Sequence, residues 1–186
     1  NRKLKGLREF LWGIIIGVLM INKIVNVENI VLDLLGDSNI LVLATSFDNR
    51  VTARSVSCVI FNNKIYLQTD IDFLKYKQII KNPNIAFCKD NIQIEGVAKP
   101  KGHPFLNENI DFLNLYKKHH FSSFKNYSHL ENEVVIEVEP TLITKWVYDD
   151  GRPLRISFNL RENKCFQEYY NKGWFTTINC FTITIM

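Results

Sequence analysis

Apolar residues recur at helical spacing over residues 27–35, where Val27, Ile30, Val31, Leu34 and Leu35 fall on one face. Gly36 follows them, the residue that most readily goes left-handed to end a helix. The next run, ILVLATS at 40–46, is continuously β-prone, as a strand covered on both faces is. Residues 47–50 supply a turn, with Asp48 and Asn49 tolerating its backbone angles, and residues 51–61 form a second strand. Asn62-Asn63 predicts a two-residue hairpin into a third strand over 64–69, which completes a meander. A helix then starts near Asp72, with Asp70 or Asp72 as its cap and Phe73, Tyr76, Ile79 and Ile80 as its apolar face. Lys75, Lys77, Gln78 and Lys81 face elsewhere, and Asn82-Pro83 closes the helix.

Residues 84–89 and 92–99 read as another hairpin, joined by Asp90-Asn91. Gly102-His103-Pro104 interrupts the strands before a helix over 107–119, and the polar, aromatic stretch 117–129 reads as a loop. Residues 133–139 alternate as a strand does, Pro140 punctuates it, and 142–148 returns as a further strand. After the turn at 149–151, residues 154–160 predict an edge strand. The apolar FTTINCFTITIM at the end is β-prone but has no partner signal, and it is an aggregation risk if exposed. This order predicts a mainly β fold, a β-barrel with flanking helices.

Length narrows the reading to one domain, since 186 residues bury one core well and two poorly. The 46% apolar and 23% charged fractions are those of a globular chain. The net charge of +4 is mild and its lysines are scattered, so an anionic small molecule is expected as partner rather than nucleic acid. Cys58, Cys88, Cys165 and Cys180 lack the spacing of a metal site, which leaves reduced thiols in a cytoplasmic protein and no metal. Residues 1–19, a basic stretch and then a short apolar run, stand apart from the fold, with Met20 as a candidate initiator. The run 11–21 is shorter than the ~20 apolar residues a membrane span needs, so a membrane anchor is the weakest of the readings. The domain is expected over 20–170, with 171–186 as a tail.

Candidate chemistry gathers in residues 51–82. Arg54 shares a strand face with Thr52, Val56, Cys58 and Ile60, and an arginine among such neighbours needs a partner. It either bridges to a surface carboxylate or presents its fork to a phosphate or a flavin edge. Thr69 before a helix start, with Lys75 one turn in, has the make-up of a phosphate site, though a solvated helix face explains Lys77 and Lys81 as well. Asn91 and Gln93 either meet a heterocycle's hydrogen-bonding edge or simply shape a turn. His103, His119 and His120 need no catalytic role, and no acid–base pair or hydrolase or kinase motif is present. Chemistry carried by a cofactor remains open.

With these residues in place, LATSFDNRVTARSVSCVIFNNKIYLQTD, KYKQIIKNPNIAFC, NIQIEGVAKPKGHP and the later EVVIEVEPTLITKWVY resemble, in order, the pyridoxamine 5'-phosphate oxidase-like family of FMN-binding split barrels. The resemblance runs over about residues 27–146. It implies a six-stranded antiparallel split barrel, a homodimer, and FMN at the dimer interface. Carried over residue by residue, it places Arg54, Val56 and Ser57 along the flavin and its ribityl chain, and Gln68 and Thr69 at the next strand end. Lys75 would meet the phosphate, and Asn91 would contribute from across the dimer. Two departures stand out. Leu74 occupies the place of one member of the basic pair that the vitamin-pathway oxidases carry. Those oxidases' C-terminal substrate-binding arginine–histidine pattern is also missing, since Arg152 and Arg155 lie in no such context. The substrate implied is therefore not pyridoxamine phosphate, and nitroimidazole-reductase relatives suggest another activity. The implied function is an FMN-binding flavoprotein, a small oxidoreductase with an external electron donor and a small-molecule substrate, exchanging hydride at flavin N5. A non-catalytic flavin- or haem-binding carrier or sensor is the alternative, and no residue is assigned as a catalytic acid or base.

Overall fold

A computed structural model describes residues 30–171 and 174–182. Residues 1–29, with the apolar run and Met20, lie outside the described residues, as do 183–186. The chain opens with α1 (Ile30–Leu35), which buries Ile30, Val31 and Leu35. Gly36, at φ 76°, sends its N–H back to the Leu32 carbonyl at 2.7 Å and ends the helix left-handed. The meander follows as β1 (Ser38–Phe47), β2 (Arg50–Phe61) and β3 (Lys64–Asp70). Its turns use Asp48-Asn49 and Asn62-Asn63, all at positive φ between 51° and 57°, which matches the right-handed twist of the strands.

Next come α2 (Leu74–Lys81), β4 (Asn84–Lys89), β5 (Ile92–Pro100), a 3-10 turn (Asn107–Asn109), α3 (Ile110–His119) and α4 (Phe121–Tyr127). β6 (Glu133–Asp149), β7 (Arg152–Asn159), β8 (Lys164–Asn171) and β9 (Trp174–Thr182) complete the chain. The strands run in the order β3-β2-β1-β4-β5-β6, and β6 returns to β3 to close a six-stranded antiparallel barrel. Inward side chains fill it, among them Leu41, Leu43, Ile60, Leu67, Phe87, Ile94, Ile136 and Ile143, each at most 1% exposed. A smaller cluster of Val59, Tyr66, Phe112, Tyr116 and Val135 seats α3 on the outside of β2, β3 and β6.

Four local expectations are corrected. β1 is covered on one face only: Ile40 and Val42 stand 52% and 42% exposed, since the flanking helices reach that face only at its ends, His120 at Ser38 and Asn82 at Ser46. Residues 121–127 form α4 rather than a loop, with Phe124 packed beneath Tyr116's cluster where a solvated loop would leave it in water. Pro140 does not end its strand. β6 runs through it at a bulge, where the register against β5 shifts between Glu95 and Gly96, so the missing N–H is not needed in the ladder. Gly96 is required there, since a Cβ would lie 2.8 Å from the Glu139 carbonyl oxygen. β7 is not an edge, because β8 pairs with it and β9 pairs with β8. Among the described residues no helix is long and apolar enough to cross a membrane.

Candidate functional site

Arg54 sits mid-way along β2, directly across from Leu43 on β1. Its Nη1 donates to the Leu43 carbonyl at 3.2 Å and to Thr45 Oγ1 at 2.8 Å, and its Nη2 donates to Thr52 Oγ1. The two hydroxyls pass the connection on. Thr45 and Thr52 donate to Gln78 Oε1 at 2.6 and 2.7 Å, and Gln78 Nε2 donates to the Arg50 carbonyl at 2.9 Å. Gln78 thereby ties α2 to β1 and β2 from a position only 3% exposed. The guanidinium is held in one orientation, with its Nε–H and one Nη2 hydrogen not used in these bonds. No carboxylate lies within 4 Å of it among the described residues, which removes the reading of Arg54 as a surface ion pair.

Lys75 enters the same place from the first turn of α2. Burial, and then the charge of Arg54, push its ammonium below its ordinary value, while Glu133 and Asp70 act in the opposite sense. Its Nζ lies over the Phe73 ring, 4.6 Å from the centroid, and it forms no ion pair within 4 Å among the described residues. α2 itself begins without a side-chain cap. Asp70, expected to cap it, uses Oδ1 to accept the Asp72 N–H at 2.6 Å, and Phe73 takes the cap position. The carboxylate is engaged one turn-residue too early to reach the helix's first amides, which leaves them pointing out of the end of α2 uncapped.

Glu133 is the fourth member. It begins β6 directly opposite Asp70 on β3, is 7% exposed, and its Oε2 is buried without a hydrogen-bond partner. Burial, with Asp70 adding to it, raises the carboxyl from 4.5 to about 7 despite the opposing pull of Lys75. Sequence reasoning missed both Glu133 and Gln78. Glu133 reads there only as the start of an alternating strand, and Gln78 only as a residue off the helix's apolar face.

The other expected residues divide into two groups. Thr69 is buried at the end of β3, one residue before Asp70, and its hydroxyl donates to the Asp70 carbonyl at 3.3 Å. Val56 is half-buried against the barrel core, two residues along β2 from Arg54. Ser57 shares a hydrogen bond with the Tyr116 hydroxyl, whose pKa burial pushes up to about 12. Gln68 accepts from Ser128 at 2.6 Å, which fastens β3 to the end of α4. Asn91 lies apart. It sits in the β4–β5 turn, where its side chain donates to the Trp146 carbonyl and its own carbonyl accepts the Trp146 N–H at 3.0 Å.

No protein-family model matches the chain, and no curated protein matches it. Solved structures do. The heme storage protein HutZ from Vibrio cholerae is 12% identical over 62% of this chain and 91% of its own, with a TM-score of 0.52. A heme binding protein from Mycobacterium smegmatis is 15% identical over 64% of this chain and 52% of its own, so the match spans about half of that protein, with a TM-score of 0.51. A pyridoxamine 5'-phosphate oxidase-related, FMN binding protein from Nostoc punctiforme matches at 14% identity over 75% of this chain and 87% of its own, with a TM-score of 0.43. At these identities the likeness is one of fold. The chain has the split-barrel fold, a closed six-stranded antiparallel barrel with flanking helices, that its motifs lead one to expect.

Proposed function

We propose that this protein binds FMN, with the phosphate held by Arg54, Lys75 and the uncapped start of α2, and that it works as a small oxidoreductase fed by an external electron donor. One observation carries the reading: two partly desolvated cations converge, and neither has a carboxylate within ion-pair distance among the described residues. Burial and the mutual repulsion of the two cations outweigh the pull of Glu133 and Asp70 on Lys75, and a bound anion would remove that cost. Arg54's two unused N–H groups suit a phosphate or a flavin edge, and its three fixed bonds pre-orient them. Thr69 closes the neighbouring strand end, and Val56 continues the row from Arg54 along β2, while Ser57 lies on the opposite face, bonded to Tyr116. When bound, a flavin supplies hydride exchange, so the protein's own part is to bind, orient and shield it.

A homodimer is part of the proposal. The outer face of β1 carries exposed Ile40 and Val42, and Val42 lies across from Ser55 on one side and from exposed Cys88 on the other. Small and apolar side chains on a barrel wall make a flat face suited to a second copy. Asn91 lies near the β1 end opposite Thr45, on the side where Lys89 reaches Asn39, so its expected contact with the flavin is one made across that dimer.

Haem is the second reading, prompted by the names of HutZ and the Mycobacterium smegmatis protein. Three of the four histidines have polar neighbours, and the exposed His129 is the remaining candidate axial ligand. His103 Nε2 lies 3.0 Å from the Leu130 carbonyl and its Nδ1 accepts the Phe105 N–H. His119 Nε2 lies 3.1 Å from Asp37 Oδ2 but is buried without a hydrogen-bond partner, and His120 meets Ser38 and the Cys58 carbonyl, both at 3.0 Å. The deciding experiment is an absorbance spectrum of the purified protein followed by titration with FMN and with hemin. Quenching of flavin fluorescence with saturation at one FMN per chain supports the proposal; a Soret band with no response to FMN replaces it with the haem reading.

A further inference from the structure

We propose that Glu133 makes the anion site proton-linked: the site takes up one proton as it binds a phosphate monoester, and this selects phosphate monoesters over fully ionised anions such as sulfate. The inference deepens the reading above and rests on its phosphate site. Its basis is a mismatch within the site. The cations Arg54 and Lys75 invite an anion, yet the buried carboxyl of Glu133 faces Lys75 with an Oε2 that has no hydrogen-bond partner. A buried polar atom in a native fold is normally satisfied, so an oxygen left open beside a cation cluster marks a place where a ligand's hydrogen or acceptor atom belongs.

The surroundings decide the protonation. Asp70 faces Glu133 from β3, Lys75 from α2 and Tyr116 from α3, and Arg54 adds its charge from β2 through Lys75. An incoming dianion would bring further negative charge to two carboxylates of which one is buried. Nearby like charges raise a carboxyl's affinity for protons, as two carboxylates sharing one site do. One proton relieves the repulsion whether it rests on Glu133, which then donates to a phosphate oxygen, or on the phosphate, which then donates to Glu133. A phosphate monoester titrates near neutrality and can take either part. Sulfate carries no proton near neutral pH and can only accept, so it depends on Glu133 alone to hold the proton.

The test uses the intact protein with FMN, inorganic phosphate and sulfate as probes. Calorimetric titration with FMN near pH 8, in two buffers of different ionisation heat, counts the protons taken up. About one proton per FMN is expected for the wild type and about none for Glu133→Gln. Competition against FMN should show phosphate displacing the flavin at lower concentration than sulfate, with that preference reduced severalfold in Glu133→Gln. In the wild type alone, FMN affinity should fall by up to ~10-fold per pH unit above neutrality, a readout that does not depend on the variant folding. If FMN binds with the same proton count in both proteins, or with affinity flat from pH 7 to 9, the inference is overturned while the FMN site stands. If FMN fails to bind the wild type at all, the site reading and this inference fall together.

Discussion

Gln78 and Arg54 do not bond to each other, yet both rest on Thr45 and Thr52: the guanidinium donates to the two hydroxyls, and the hydroxyls donate to the glutamine oxygen. The helix that carries Lys75 therefore also fixes the orientation of the arginine on β2. Gln78→Leu keeps the volume and removes the shared acceptor, which strands two hydroxyls. It should cost about 1–3 kcal/mol in urea unfolding and weaken FMN binding about tenfold through a loosened Arg54. Unchanged affinity in a fluorescence titration would show that the network serves stability only.

Arg54→Lys keeps the charge and loses the fork. Because Leu74 leaves α2 with Lys75 alone in its first turn, little can compensate. A charge-assisted hydrogen bond is worth about 1.5–3 kcal/mol, so the dissociation constant for FMN should rise roughly 10- to 150-fold. Riboflavin, without a phosphate, should bind both proteins with similar affinity; a parallel loss for riboflavin would move Arg54 from the phosphate to the ring.

The raised carboxyl of Glu133 sets a pH dependence of stability in the unliganded protein. The folded state holds this proton more tightly than the unfolded state, so the carboxyl costs nothing below pH 4.5 and progressively more until about pH 7, where the cost is complete. The cost comes to roughly 3 kcal/mol at most. Glu133→Gln should flatten that part of the stability–pH curve, measured by urea midpoints from pH 4.5 to 8, and should be the more stable protein at pH 8.

Gly96→Ala places a Cβ 2.8 Å from both the Glu139 carbonyl oxygen and Val138 Cγ1. The backbone carbonyl cannot retreat without opening the β5–β6 ladder, and the Val138 methyl is packed in the core. A loss of about 1–3 kcal/mol is expected, read as a lower urea midpoint.

The proposed dimer face can be probed by charge and by thiol chemistry. Val42→Arg should give a monomer by sedimentation and release the FMN. In the wild type, Cys88 should react with a maleimide far faster than buried Cys58 or Cys165, and the dimer should slow that reaction. Burial raises the Cys58 thiol's pKa far above its ordinary value, which adds to its inertness.

Where one local rule governs, the sequence was an adequate guide. Asn62-Asn63 favours a turn with positive φ, and the meander and the hairpin of β4 and β5 follow from such signals, whereas the six-stranded split barrel comes from the family resemblance. Arg54 stands out in the sequence because a charge among apolar strand neighbours asks for a partner, and Lys75 because it follows a helix start. What was hidden depends on distant neighbours. α4 is polar enough to pass for a loop until Gln68 and Ser128 are seen to meet. Pro140 passes for a strand end until Gly96 is found across from it, making the bulge that tolerates it. Glu133 and Gln78 gain their meaning from residues that lie far from them in the chain, and no periodicity carries that information.

Closure of the barrel has a consequence for the order of synthesis. Lys64 and Glu137, paired across β3 and β6, are 73 residues apart in the chain. Contacts so distant in sequence form late, because the intervening loop must be ordered first. A nascent chain emerging from the ribosome can assemble the β1–β3 meander and dock α2 while β6 is still being made. Arg54 and Lys75 are thus in place early, and Glu133 arrives only with the final strand of the barrel. On the proposed reading, a phosphate-bearing cofactor present during translation would meet the two cations first and the carboxyl only afterwards, so capture before closure would be open to it.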